Sequence, residues 1–521
     1  MADVKARPSI AKCGLARAMV VVFVCVTAAL SLVWSHTKLL SQDEMFEFQT
    51  DSVRSLAELM HVQRTWPISL DPLLYHALSH GAMQAFGAGA FAQRLPALAG
   101  FLLMQVCLFF FVRNLAGERA GAVAAAFPAV TATLFYAVEG RPYGLMLGLY
   151  ALALWCWQVA SRSERARGWA LVGLAAALAG TINAHYFGIL LLVPVCAAEA
   201  WRTLARRPPV QRKIDWAMGA AIVAGMAGFL ATQPFLEAAG EFRKNYYNVG
   251  WVGRHDIARA YRAIFVNYTQ MSMSARHLWV VALVVFAAAL VWGCWRVRRG
   301  IETAEWVLVL ALAALPFCGY LLARFVTHSI EVQYVLGAVV AISAMLAIAV
   351  SEWLKRDAVF HFALVLLGLG IVCGGAVRIH AEQRKTSARL ASLVLPAEAK
   401  AALLAGADGR LYVQDMGAFE EDRYYEPDAE VQARMTLVYS ADEELRWNKH
   451  DTMALTAMHM QHFAGLPVMS YEALRAQPGK HVFVLFYSGW DWTDLAFAQD
   501  GARVRLVGKA MGGDVATVTF R

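Results

Sequence analysis

Between residues 18 and 379 the chain repeats apolar blocks, each long enough to cross the hydrocarbon core of a bilayer, which takes about 20 residues of helix. No single soluble core has use for so many. The composition agrees, with 59% hydrophobic and only 17% charged residues. The runs lie near 18–35, 94–112, 120–137, 142–160, 168–184, 187–201, 216–235, 278–295, 304–323, 333–352 and 359–379. They predict a polytopic α-helical membrane protein with about eleven transmembrane helices.

The first run follows Lys5, Arg7, Lys12 and Arg17 and superficially resembles a signal peptide. No small-x-small cleavage site follows it, so it reads as an uncleaved first span. Loop charge tests the count independently, because Lys and Arg accumulate in cytoplasmic loops. Basic residues recur at the N-terminus, at Arg113 and Arg119, at Arg162, Arg165 and Arg167, at Arg202 to Lys213, at Arg296 to Arg299, and at Lys355 and Arg356. Every second loop is therefore basic. The stretch 168–201 has basic loops on both sides and needs an even number of crossings, so two short helices meeting at AHYFG are expected.

With the N-terminus cytoplasmic, segments 36–93, 138–141, 185–187, 236–277 and 324–332, and all that follows 380, face the outer side. The surplus of Lys plus Arg, 47 against 39 acids, is explained by this topology and does not point to nucleic acid. The eight cysteines are scattered through the membrane half without metal-site spacing, and neither disulfides nor a zinc cluster is expected. In the first outer segment, DSVRSLAELMHVQRTW carries apolar residues at helical spacing, as does RHDIARAYRAIF at 254–265, and both read as interfacial helices. From 381 the composition becomes that of a soluble domain. Strand-like LYVQD, MTLVYS, HVFVLFY, VRLVGKA and VATVTF alternate with helical or polar segments and predict a small α/β domain over 381–521, against a membrane domain over 1–380.

The informative polar residues gather at the outer ends of the spans. Asp43 and Glu44 follow the first span in SQDEMFEF; ionisable groups beside a bilayer are costly unless paired or used, although a loop acid is often solvated surface. In YAVEGRPYG, Gly140 and Pro142 make a turn, while Glu139 and Arg141 either pair with each other or lipid phosphate or serve a site. His185 and Tyr186 cap a second short turn, and Arg324, His328, Glu331 and Tyr334 surround a third. Singly, each suits an interfacial anchor, as does Arg94 in AQRLPAL. Their recurrence at one membrane face, with few ionisable residues at mid-depth, describes a site at that face rather than a pathway through the membrane.

Together these segments resemble the GT-C superfamily of polyprenyl-phosphate-sugar-dependent glycosyltransferases, particularly the branch of protein O-mannosyltransferases and the lipid A aminoarabinose transferase. The resemblance covers roughly residues 15–350. The family's Asp-Glu pair, His-Pro-Pro-Leu-Tyr-like stretch, Arg-Leu-Pro and Glu-x-Arg-x-Tyr read here as SQDEMF, SLDPLLYHAL, AQRLPAL and VEGRPYGL. Two departures stand out: Leu70-Asp71-Pro72 in the second element, and Gln333-Tyr334 where a late span should open on Arg-Tyr.

The resemblance implies an enzyme of a bacterial inner membrane, moving a hexose or pentose from a polyprenyl-phosphate donor to a hydroxyl of a glycan, lipid or protein acceptor on the periplasmic face. It makes Asp43 the base, with Glu44 in support. Arg141 becomes the phosphate's counter-charge, with Arg94 and Arg324 behind it, and Glu139, Tyr143, His185, Tyr186 and Tyr334 complete the substrate-binding set. No Asp-x-Asp sequence of the kind that binds a divalent ion is seen, and no cofactor is expected, with a divalent metal on His185 and outer carboxylates left open. The rival class is a transporter or flippase of a lipid-linked saccharide, which should show an internal repeat and broken helices at mid-membrane. The sequence shows no such repeat.

Overall fold

The computed structural model describes residues 10–205, 214–240, 253–265, 273–486 and 491–520. Each apolar run becomes helix, because backbone in hydrocarbon must satisfy its hydrogen bonds internally. Among the described residues six helices are long and apolar enough to cross a membrane: Gly14–Thr37, Ala90–Ala116, Tyr143–Arg162, Tyr186–Leu204, Trp216–Ala238 and Asp357–Leu393. A seventh is the pair Thr303–Ala313 and Leu315–Thr327, bent by 53° where Pro316 removes a backbone donor. The expected eleven are thus not all met as full spans. The run 120–137 is a 13-residue helix that ends at Val130 and passes into a 3-10 turn, and Ala338–Val350 is equally short. The stretch 168–201 divides at His185, as the loop charges required.

Four helices precede the second span. They are α1 (Ile10–Thr37), α2 (Gln42–Asp51), α3 (Leu56–Thr65) and α4 (Leu73–Phe86). The spans α5 (Ala90–Ala116), α6 (Glu118–Val130), α7 (Tyr143–Arg162) and α8 (Arg167–Ala184) follow. A glycine seam joins α5 to α7. A Cβ on Gly100 would lie 2.2 Å from Cα of Leu145, one on Gly144 2.4 Å from the Ala97 carbonyl oxygen, and one on Gly148 2.3 Å from that of Gly100. Small residues let membrane helices approach to backbone contact. The consequence is positional, because Arg94 lies near the start of α5 and Arg141 just before α7.

The last span does not stop at the membrane. Asp357–Leu393 is one helix of 37 residues that runs past 381 into the terminal domain. That domain is a six-stranded sheet in the order β3-β2-β1-β4-β6-β5, built from β1 (Leu411–Val413), β2 (Met435–Tyr439), β3 (Val468–Ser470), β4 (Lys480–Leu485), β5 (Arg503–Ala510) and β6 (Gly513–Thr519). β1 to β4 pair in parallel and β5 and β6 antiparallel. All five expected strands are present; β3, a three-residue edge strand, was too short to read. Alternate residues fill two cores, with Val413, Leu437 and Val484 on one face and Tyr412, Val438 and Phe483 on the other, as expected for a sheet covered on both sides.

The domain sits on the loop between α1 and α5. Helix Met416–Tyr425 packs along α2, with Gln49 Nε2 donating to Glu420 (3.0 Å) and Phe48 edge-on to Tyr424. The Tyr425 hydroxyl accepts from Leu40 N at 2.9 Å, and Trp66 stacks on His462.

Candidate active site

Among the described residues, the ends of α1, α5, α7 and α8 and the turn at Tyr334 contribute to one polar cluster, and α2 is its centre. Asp43 and Glu44 occupy the first turn of α2, where the helix dipole favours negative charge. Residues three, four and seven apart share a helix face, so Glu44, Glu47 and Asp51 form an inward acidic stripe, all three buried.

Glu44 is wholly enclosed and wholly matched. Arg94 grips it with two donors, Nε at 2.8 Å and Nη2 at 3.1 Å. Gly140 N donates at 2.6 Å, Ser41 N at 2.9 Å, and the Lys38 ammonium lies against the same carboxylate. Burial alone would raise the Glu44 pKa, but the Arg94 and Lys38 charges overcome that and hold it well below the usual carboxylate range. The remaining Arg94 donors go to the carbonyls of Ser35 (2.7 Å), Lys38 (2.8 Å) and Leu39 (3.0 Å). Arg94 therefore ties the end of α1 to the start of α2 rather than reaching to headgroups, and Gln93 adds a bond to the Glu44 carbonyl (2.7 Å).

Arg141 lies across from this clamp. It meets Asp43 (Nη1 to Oδ2, 2.5 Å) and Asp71 (Nη2 to Oδ2, 3.3 Å), with Nε 4.0 Å from Glu47. Its guanidinium stands 5.2 Å from the Tyr143 ring centre. The Asp43 side chain is 57% exposed, whereas those of Arg141 and Asp71 are 16% and 6% exposed. Asp43 is thus the acid of this group that open solvent reaches. Glu139 is half-buried beside them, its Oε2 enclosed and free of hydrogen bonds, and desolvation pushes its pKa up to about 7 against the pull of Arg141 and Lys38.

An aromatic wall closes the other side. His185 lies 4.6 Å from Tyr334 and 5.6 Å from Tyr143, and Phe187 4.8 Å from Tyr334, centre to centre. Phe187 N–H donates to His185 Nδ1 (3.2 Å), so the imidazole proton belongs on Nε2, which faces Asp71 at 3.6 Å. Burial lowers the His185 pKa to about 4 and keeps the ring neutral. Tyr186 opens the same 3-10 turn, half-buried and near enough to Asp71 to feel its charge.

Of the residues singled out from the sequence, Asp43, Glu44, Arg94, Glu139, Arg141, Tyr143, His185, Tyr186 and Tyr334 converge. Arg324 does not join them by any ion pair among the described residues; it stands exposed on a π-helical turn, and Glu331 there pairs with Arg259 at 3.2 Å. Lys38, Glu47, Asp51 and His76 were missed. The signal was the 44-47-51 spacing facing His76 and His80, themselves four apart on α4. Asp71, noted as a departure, proves to be the second acid on Arg141.

Residues 71–231 match the sequence model of the family described as dolichyl-phosphate-mannose-protein mannosyltransferase. The structure superposes on that of ArnT from Cupriavidus metallidurans bound to undecaprenyl phosphate, with a TM-score of 0.59, 12% identity, and 96% of this chain and 97% of that one covered. The apo state of the same protein matches with a TM-score of 0.59, 14% identity and coverages of 97% and 98%. The chain has a GT-C fold. No curated protein matches it as a sequence relative. The GT-C match runs almost end to end in both chains, so the terminal sheet over α2 belongs to the fold being compared and is not an appendage to it.

Proposed function

We propose that this GT-C chain is an inverting glycosyltransferase that moves a sugar from a polyprenyl-phosphate donor to an acceptor hydroxyl, at the outer face of a bacterial inner membrane. The observation that carries the reading is Arg141 held between Asp43 and Asp71 where the outer helix ends converge. The fold and the 71–231 family match support it, and so does the undecaprenyl phosphate held by the ArnT structure.

A donor phosphate that competes for Arg141 releases Asp43 from its ion pair. Arginine suits the exchange, since its planar fork donates in pairs to carboxylate or phosphate and stays charged near lipid. The freed Asp43 carboxylate accepts the acceptor's hydroxyl proton as that oxygen bonds to the anomeric carbon. The bond from that carbon to the phosphate oxygen breaks on the opposite face, and the polyprenyl phosphate departs with the added negative charge. A fixed cation there stabilises the transition state more than the ground state. The His185, Tyr143 and Tyr334 rings offer a stacking wall for the sugar, and Glu44 with Arg94 holds the geometry. The reaction as written needs no metal in contact with the reacting atoms.

The test is transfer of labelled sugar from a polyprenyl-phosphate donor to an envelope acceptor fraction, in wild type and Asp43→Asn. Loss of transfer with donor binding intact supports the reading; undiminished transfer sinks it.

A further inference from the structure

Glu47, Asp51 and His76 take no part in the reaction just described, and their donor atoms all lie within 4.8 Å of one another. Nδ1 of His76 is 2.6 Å from Asp51 Oδ1 and 3.1 Å from Glu47 Oε2. All three side chains are 2% exposed or less. One imidazole nitrogen faces two carboxylates, yet it can give a proton to only one of them. The Asp51 contact is the hydrogen bond, so Glu47 Oε2, aimed into the trio, accepts none, and His76 Nε2 is also unbonded.

The charges around the trio sharpen the point. Glu44 is matched by Arg94 and Lys38, and Arg141 is shared between Asp43 and Asp71. Glu47 and Asp51 are left with His76, apart from the 4.0 Å approach of Arg141 to Glu47 and the weaker influence of His80 on Asp51. Two buried carboxylates against one imidazole is a donor set that suits zinc, manganese or iron. Metal-bound N and O atoms at about 2.0–2.2 Å sit roughly 3–3.5 Å apart, so the 3.1 Å pair already fits and the 2.6 Å contact has only to lengthen. The surroundings are those of oriented ligands. The Ser69 hydroxyl donates to the other Glu47 oxygen at 2.8 Å, and His80 Nδ1 bonds the Asp51 carbonyl at 2.9 Å.

We infer that α2 and α4 hold a divalent transition-metal cation, of the zinc or manganese kind, between Glu47, Asp51 and Nδ1 of His76. The cation fixes α2, and with it Asp43 one turn away, and offsets two acids beside Arg141. It touches no reacting atom, and the inference stands apart from the proposed transfer. The alternative arrangement places extra protons on the same three groups and binds no metal.

Metal content of the full chain purified in detergent decides between the two. The expected result is a single zinc or manganese ion per chain by plasma mass spectrometry after dialysis. Stripping with a chelator should lower Tm, and zinc or manganese chloride should restore it. Asp51→Asn and His76→Gln should fall to background metal, while Asp71→Asn, whose carboxylate lies on Arg141, should keep the ion. Background metal in wild type, with Tm unmoved by chelator or by either salt, overturns the inference, as does full metal retention by a folded Asp51→Asn protein. The strip-and-reload experiment on wild type stands even if both variants fail to fold.

Discussion

Glu44 and Asp43 are neighbours on one turn of α2, yet they live in opposite electrostatic worlds. Glu44 is closed off and has more donors than it needs, from Arg94, Lys38, Ser41 and Gly140. Asp43 is open and shares one arginine with Asp71. A saturated carboxylate has no capacity left for chemistry, whereas one in an exchangeable pair keeps it. Adjacency in sequence therefore divides into a clamp and a proposed reagent, and the division can be broken experimentally.

The largest effect expected is on turnover. Asp43→Asn should lower transfer by about 10²–10⁴-fold, the usual contribution of a positioned base, and leave Tm nearly unchanged, since an exposed ion pair is worth about 0–1 kcal/mol. A Tm loss as large as the rate loss would make Asp43 another clamp. Arg94→Leu should do the reverse, costing about 3–5 kcal/mol because it leaves Glu44 buried without its main partner. Denaturant titration in detergent measures it, and a stable variant would dissolve the contrast.

Arg141→Lys should cut transfer by about 10²-fold, within the range for loss of a fixed transition-state donor, because an ammonium keeps the charge but not the fork. Measured donor affinity and turnover separate binding from chemistry, and wild-type rates would remove Arg141 from the mechanism. The smallest effect concerns Glu139. Its folded pKa is raised from 4.5 to about 7, so between these values the folded state holds more protons and stability falls as pH rises. Glu139→Gln should abolish that fall, which solvent screening at this half-buried group reduces well below the roughly 3 kcal/mol that about 1.4 kcal/mol per pKa unit sets as a ceiling. Equal Tm differences between variant and wild type at pH 5 and pH 8 would show that Glu139 does not titrate there.

Much of this architecture could be read residue by residue. The apolar runs, the basic loops and the division at His185 are local signals, and they located the helix ends where the polar residues gather. What stayed hidden was α2 itself as a buried helix. An inward helix face is normally recognised by apolar residues, and here that face carries Glu44, Glu47 and Asp51. Arg94 was misleading for the same reason, since an arginine at a span mouth ordinarily reaches for headgroups. Here it is 1% exposed and bound to three carbonyls.

The sequence by itself determined that the chain crosses a membrane repeatedly, ends in an α/β domain and gathers its polar residues at one face. Hydrophobic length, charge asymmetry and strand alternation are properties of short windows. Which acid is a clamp, which shares an arginine and which faces a histidine was decided only by the tertiary structure. The glycine seam of α5 and α7 brings Arg94 and Arg141 to α2 from different parts of the chain, and a carboxylate's chemistry depends on the charges and burial around it, not on its neighbours in sequence.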